Sequence, residues 1–229
     1  MLLVSTAADL YWLGRYFSRS QALVDLVLDC LKNPTIDSLG VPLSITGSWQ
    51  NFYQQYMTLS PEGLAEFFVV ANNPTSLSAC LEATRADAQA TRGRISDTLW
   101  IAINSLWLEW QERSKRIGVY SDHLALYQWL QQALAAVQRV VAETTDEAVR
   151  HLLTIGMLVE GLDHAFRKLA TPDVAAPPKS HIEQTAGLLA QELARLDLSL
   201  WQHAYQTSLE LVQLCHHLPD HKDLTSTRE

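Results

Sequence analysis

Arg15 and Arg19 stand four residues apart in an otherwise largely apolar stretch, STAADLYWLGRYFSRSQALVDLVLDCLK, running from Ser5 to Lys32. That spacing is about one helical turn, so both guanidinium groups lie on one face of a helix. Leu10, Leu13, Phe17, Val24, Val27, Leu28 and Leu31 form a broad apolar stripe at helical spacing, and Trp12, Leu23, Leu26 and Cys30 lie opposite. A helix apolar nearly all round belongs inside a bundle. Arginine does not discharge within a protein, so two of them there require carboxylates, or each costs on the order of several kcal/mol. Two kinds of chemistry meet that requirement: an ion-pair clasp between helices, or a polar pocket for a carboxylate or phosphate ligand.

Other reactive side chains do not converge. Cys215, His216 and His217 are consecutive, and neighbours on a helix point about 100° apart, so with His221 they make a poor metal set. His151 and His164 need further ligands from another element. No nucleophile elbow, P-loop, zincin motif or dinucleotide fingerprint occurs, and Ser18 has no local base. No catalytic residue, metal or cofactor is therefore assigned. A formal net charge of -8 supplies no basic field for phosphates, which argues against nucleic acid. No apolar run is long enough to predict a membrane span. The opening MLLVSTAADLYW lacks the basic region and cleavage site of a signal peptide. Cys30, Cys80 and Cys215 are odd in number and far apart, which fits reduced thiols in a cytoplasm. At 48% hydrophobic and 18% charged residues, with seven tryptophans, the chain has apolar surface to use for contact.

The elements that must position the arginines all read as helices. Thr6 and Asp9 suggest a capping box for the first, which Asn33-Pro34 ends. Residues 33–47, with Pro34, Gly40, Pro42 and Gly47, read as an irregular loop. A short helix is expected at 48–58, and Ser60-Pro61-Glu62 starts another that stops at Asn72-Asn73-Pro74. From Thr75 a helix runs to a break near Gly93, and Ser96-Asp97 restarts one through Trp100, Trp107 and Trp110 to Gly118. Ser121 is expected to cap a helix over 122–143, and Thr145-Asp146-Glu147 opens one reaching Lys168. TPDVAAPPK reads as a linker over 171–179. Ser180 and Glu183 suggest a second capping box, opening a helix or helical hairpin over 180–218 that packs on the domain or on a partner. Residues 219–229 read as a flexible tail. The fold class is all-α, a single multi-helix bundle.

Three segments resemble the Alpha-E family, bacterial all-helical proteins named for a Glu-Arg pair. LYWLGRYFSRSQ, from Leu10, looks like the family's opening motif; NNPTSLSACLEATRADAQATRGRISDTLWIAIN resembles its middle segment; DEAVRHLLTIGMLVEGLDHAFR resembles a second copy of the opening motif. The resemblance covers residues 1–170 in the family's order. The two copies make an internal repeat about 140 residues apart, in which Gly14 aligns with Gly156, Arg15 with Met157, Ser18 with Glu160 and Arg19 with Gly161. Each copy has lost a different half of the Glu-Arg pair. That complementary loss implies that Glu160 or Asp163 of the second copy meets Arg15 or Arg19 of the first. Asp87 stands where the family has asparagine, while Arg85, Arg92, Trp100 and Asn104 remain. The chain is thus expected to be a divergent, shortened member.

The resemblance implies an accessory role. Alpha-E proteins occur beside or fused to ATP-grasp-type ligases, with transglutaminase-like or proteasome-like peptidases nearby, a setting of peptide synthesis or peptide tagging. The expected function is a cytoplasmic, non-catalytic helical subunit that binds such a ligase or its peptide product. Two alternatives stand beside it. One is a catalytic or ligand-binding subunit whose Arg15, Arg19, Arg85 and Glu160, with Asp163 and Arg167, line a pocket for an amino acid or phosphorylated intermediate. The other is a homodimerisation module.

Overall fold

The structure is a computed structural model that describes residues 2–69, 73–115, 120–172, 174–195, 208, 210–211 and 213–215. Among these the regular elements are all helices: α1 (Val4–Lys32), α2 (Ile36–Thr46), α3 (Trp49–Tyr53), α4 (Pro61–Val69), α5 (Leu77–Ala90), α6 (Asp97–Ser114), α7 (Tyr120–Ala142), α8 (Glu147–Ala170) and α9 (Lys179–Arg195). No described helix is long and apolar enough to cross a membrane.

The expected stripe on α1 is buried: Leu10, Val24, Val27 and Leu28 are fully enclosed, and Leu23, Leu26 and Cys30 on its other side are buried as well. Apolar on both sides, α1 is the axis of the bundle, packing chiefly on α8 and α5 and also on α7 and α2. Several polar groups carried inward are paired across helices. Tyr127 Oη donates to the Ala65 carbonyl at 2.8 Å, tying α7 to α4. Trp110 Nε1 donates to Ser78 Oγ at 3.0 Å, and Ser78 Oγ donates onward to the Val69 carbonyl, linking α6, α5 and α4. Trp110 is therefore core, while Trp100 and Trp107 are only partly buried.

Local signals set most helix starts. Ser76, Ser96 and Asp146 cap α5, α6 and α8 by accepting from the third residue on, and Ser60 accepts from the Gly63 amide ahead of α4. Several boundaries differ from expectation. Residues 33–47 are not an irregular loop. Thr35 and Ser38 form a reciprocal capping box, Gly47 closes α2 in the left-handed region at φ 66°, and Leu39 and Leu43 bury one face. Burial of that face outweighs Gly40 and Pro42 within the helix. α1 begins at Val4 with no side-chain cap, ahead of the expected Thr6–Asp9 box. α7 begins at Tyr120, placing Ser121 inside it, and α3 ends at Tyr53, short of 58. α9 starts at Lys179, and its first turn is anchored by the His181 amide on the Pro178 carbonyl at 2.9 Å. The expected stops at Asn72 and Gly118 and the stretch 196–207 lie outside the described residues.

α1 and α8 meet through glycine. A Cβ on Gly14 would collide with the Leu153 carbonyl, and one on Gly156 with the Tyr11 carbonyl. The contacts are reciprocal, since each glycine follows by three residues the carbonyl that receives the other. The pairs Gly14–Leu153 and Ser18–Met157 advance together along the two helices, as do Tyr11–Gly156 and Arg15–Glu160, so α1 and α8 run in the same sense past the contact. A second apolar cluster grows from this contact. Tyr11 joins Ile155, Val159 and Leu162 of α8, Ile182, Ala186, Leu189 and Leu193 of α9, and Cys215. His151 Nδ1 and a Glu192 carboxylate oxygen form a short contact that fastens α8 to α9.

Gly14→Ala or Gly156→Ala forces backbones apart and is expected to cost about 1–3 kcal/mol or more of unfolding free energy. Gly161→Ala meets nothing within 4 Å and should stabilise by about 0.5–1 kcal/mol, the helix-propensity difference. Chemical denaturation of the three variants checks both signs.

Candidate functional site

Where the glycines bring α1 against α8, one carboxylate receives both arginines of the opening segment. Arg15 Nε donates to Glu160 Oε2 at 2.6 Å. Arg19 grips the same group side-on, Nε to Oε1 at 2.6 Å and an Nη2 proton to Oε2 at 2.8 Å. The Glu160 side chain is 6% exposed, against 13% for Arg15 and 35% for Arg19. A bidentate, charge-assisted arrangement of this kind is what makes a buried carboxylate tolerable. Ser18 Oγ donates to the Met157 carbonyl at 3.4 Å.

Aromatic rings sheathe the cations. The Arg15 guanidinium carbon lies 5.8 Å from the Tyr11 ring centre and 5.5 Å from that of Trp12, and Arg15 Nη1 donates to Tyr11 Oη at 3.1 Å. Arg19 lies 5.5 Å from the Tyr16 ring. Burial acts to lower the pKa of both arginines, but the charge and hydrogen bonds of Glu160, with Tyr11 for Arg15, more than offset it, and both end above their ordinary value. Tyr11, Trp12 and Tyr16 are members of the site that charge pattern alone does not flag. Their signal is an aromatic three or four residues before each arginine.

A second carboxylate extends the cluster outward. Asp163 accepts from Arg167 Nε at 3.0 Å and lies 3.9 Å from Arg15 Nη2. Arg15, Arg19, Glu160, Asp163 and Arg167 thus come together. Arg85 is placed elsewhere, with Nε on Asn104 Oδ1 at 2.9 Å and its guanidinium 5.9 Å from the Trp100 ring of α6. Arg92 lies 5.2 Å from the same ring. Burial pushes the Cys80 thiol, close to Arg19 and Glu160, up to about 12, so it is no nucleophile at neutral pH. His164 is pulled down to about 4, first by burial and then by Lys168, and is neutral. Cys30 and Cys215 are likewise buried free thiols. His216, His217 and His221 lie outside the described residues, and no metal-binding group of three or more ligands occurs among those described.

Asp87 is a second, separate electrostatic feature. Its Oδ2 is buried with no hydrogen-bond partner among the described residues, and burial followed by Asp9 raises its pKa to about 7. The folded chain therefore holds a proton on Asp87 that the unfolded chain gives up at lower pH.

Glu160→Ala leaves two cations without their shared acceptor and is expected to cost roughly 3–5 kcal/mol. Glu109→Ala removes the exposed partner of Arg113 and should change stability by less than about 1 kcal/mol. The triple change Arg15→Met, Arg19→Met, Glu160→Leu should recover most of the loss in the same denaturation series. A pH series separates the other two groups. Because the folded pKa of Asp87 is raised, its contribution is lost as pH rises from about 4 through about 7, so Asp87→Asn should raise the midpoint at about pH 8. His164 has a lowered pKa, so stability falls as pH drops from about 6.5 to about 4, and His164→Asn should flatten that limb.

The sequence profile of the Alpha-E family, described as a predicted alpha-helical domain with a conserved ER motif, matches residues 2–212. The match extends past the proline-rich segment and takes in α9. No curated protein and no solved structure matches the chain. With nearly its full length matched, the chain belongs to the Alpha-E family.

Proposed function

We propose that the protein is an accessory helical subunit of a peptide-synthesis or peptide-tagging system, docking an ATP-grasp-type ligase or its peptide product in the cytoplasm. ATP chemistry belongs to the ligase in this reading, and the helical chain supplies surfaces. The observation that carries it is the state of Glu160: both carboxylate oxygens are engaged by Arg15 and Arg19 inside the helix contact. The motif's charge is thus committed to holding α1 on α8, and neither Cys80 nor His164 has the pKa of a nucleophile or general base at neutral pH. The reciprocal glycine contact supports reading α1 and α8 as two copies of one motif helix that close on each other.

Surface for a partner is available on α6. Ile101 and Leu108, seven residues apart and so on one face, are 60% and 51% exposed. Such a face suits helix-in-groove or helix-on-helix contact.

Purification of the tagged chain from the cells that encode it is expected to bring an ATP-grasp-type ligase with it. The pair Ile101→Glu and Leu108→Glu should abolish that recovery without lowering the melting temperature. A chain that purifies alone, or as a self-pair, overturns the proposal.

A further inference from the structure

Beside the clasp the surface sinks into a cleft of about 140 Å³. Its inner side is hydrocarbon, the buried side chains of Leu23 and Leu26 of α1 and Ile45 of α2. Its solvent side is charged, with Arg19, Asp163 and Arg167 at 35%, 30% and 52% exposure. The cleft is therefore amphipathic across its width, which a purely structural ion pair does not require.

The charge around it does not balance. Three guanidinium groups, those of Arg15, Arg19 and Arg167, share two carboxylates, Glu160 and Asp163. One positive charge is left over, and Lys168 adds to the same side through its effect on His164. His164, which also lines the cleft, is neutral and contributes nothing to the balance. Donors are left over too. Arg167 commits only Nε to Asp163, and Arg19 commits Nε and one Nη2 proton to Glu160. The remaining N–H groups of both have no acceptor among the described residues.

We propose that this cleft binds a small carboxylate bearing an apolar side chain, its carboxylate between Arg19 and Arg167 and its side chain against Leu23, Leu26 and Ile45. A carboxylate accepts from both guanidinium groups while its apolar part covers the hydrocarbon side; a phosphate would leave that apolar side unused. A free amino acid and the C-terminal residue of a peptide both present this chemistry. The site stands apart from any ligase partner, because it is defined by one chain and measured by direct binding.

Calorimetric titration of the full chain with N-acetyl-leucine, N-acetyl-leucinamide, leucine, the tripeptide Ala-Ala-Leu and inorganic phosphate tests it. N-acetyl-leucine is expected to bind, and its amide to bind at least about tenfold more weakly, the loss of one charge-assisted contact. Arg167→Gln should weaken N-acetyl-leucine about tenfold at unchanged melting temperature, with Arg167→Lys recovering part of the affinity. Ala22→Leu, which fills the cleft without altering a charge, should block binding as well. Tighter binding of leucine than of the tripeptide identifies a free amino acid as the source, and the reverse order identifies a peptide terminus. Equal binding of acid and amide, phosphate binding as tightly as N-acetyl-leucine, or indifference to both Arg167→Gln and Ala22→Leu overturns the proposal.

Discussion

Two helices approach closely enough to share one carboxylate between two guanidinium groups only where their backbones can nearly touch. Gly14 and Gly156 provide that approach, each accepting the other helix's carbonyl where a methyl group would sit. At this separation Glu160 reaches Arg15 and Arg19 at 2.6 Å while its side chain stays 6% exposed. Wider spacing would admit water and turn a buried, bidentate contact into an ordinary surface pair of little consequence. The glycines and the charged triad are one device, since the steric hole fixes the distance and the charges fix the register.

The rest of the bundle follows from where that device sits. α1 has apolar residues on both sides and is packed by α5, α7 and α8. Tyr11 sits at the junction, its backbone carbonyl against Gly156, its hydroxyl accepting from Arg15 and its ring in the cluster that α9 completes. The second apolar cluster is therefore continuous with the clasp through Tyr11, and the His151–Glu192 contact also ties α8 to α9. The family match to residue 212 agrees with this continuity, because α9 packs on α8.

Much of this was legible in the sequence where one residue type had few ways to be satisfied. Arginine on a largely apolar helix demands an acid, and the two acids expected for it, Glu160 and Asp163, lie at hydrogen-bond and ion-pair distance respectively. Arg85 carries the same charge but satisfies itself with Asn104 and Trp100 on the neighbouring helix, a pairing across a turn that charge arithmetic does not reveal. α2 was illegible for a different reason. Its glycine and proline speak against a helix locally, and only the reciprocal Thr35–Ser38 cap and the burial of Leu39 and Leu43 decide otherwise. Asp87 was visible as a departure from the family's asparagine; its consequence, a proton held by burial, depends on how closely α5 and α1 pack.

Arg19 and Glu160 are separated by 141 positions along the chain. During synthesis α1 leaves the ribosome long before α8 exists, an interval on the order of ten seconds at typical elongation rates. Throughout that time the helix carries two cations whose shared acid is still unmade. The clasp of α1 on α8 therefore waits on translation rather than on the microsecond pace of helix formation.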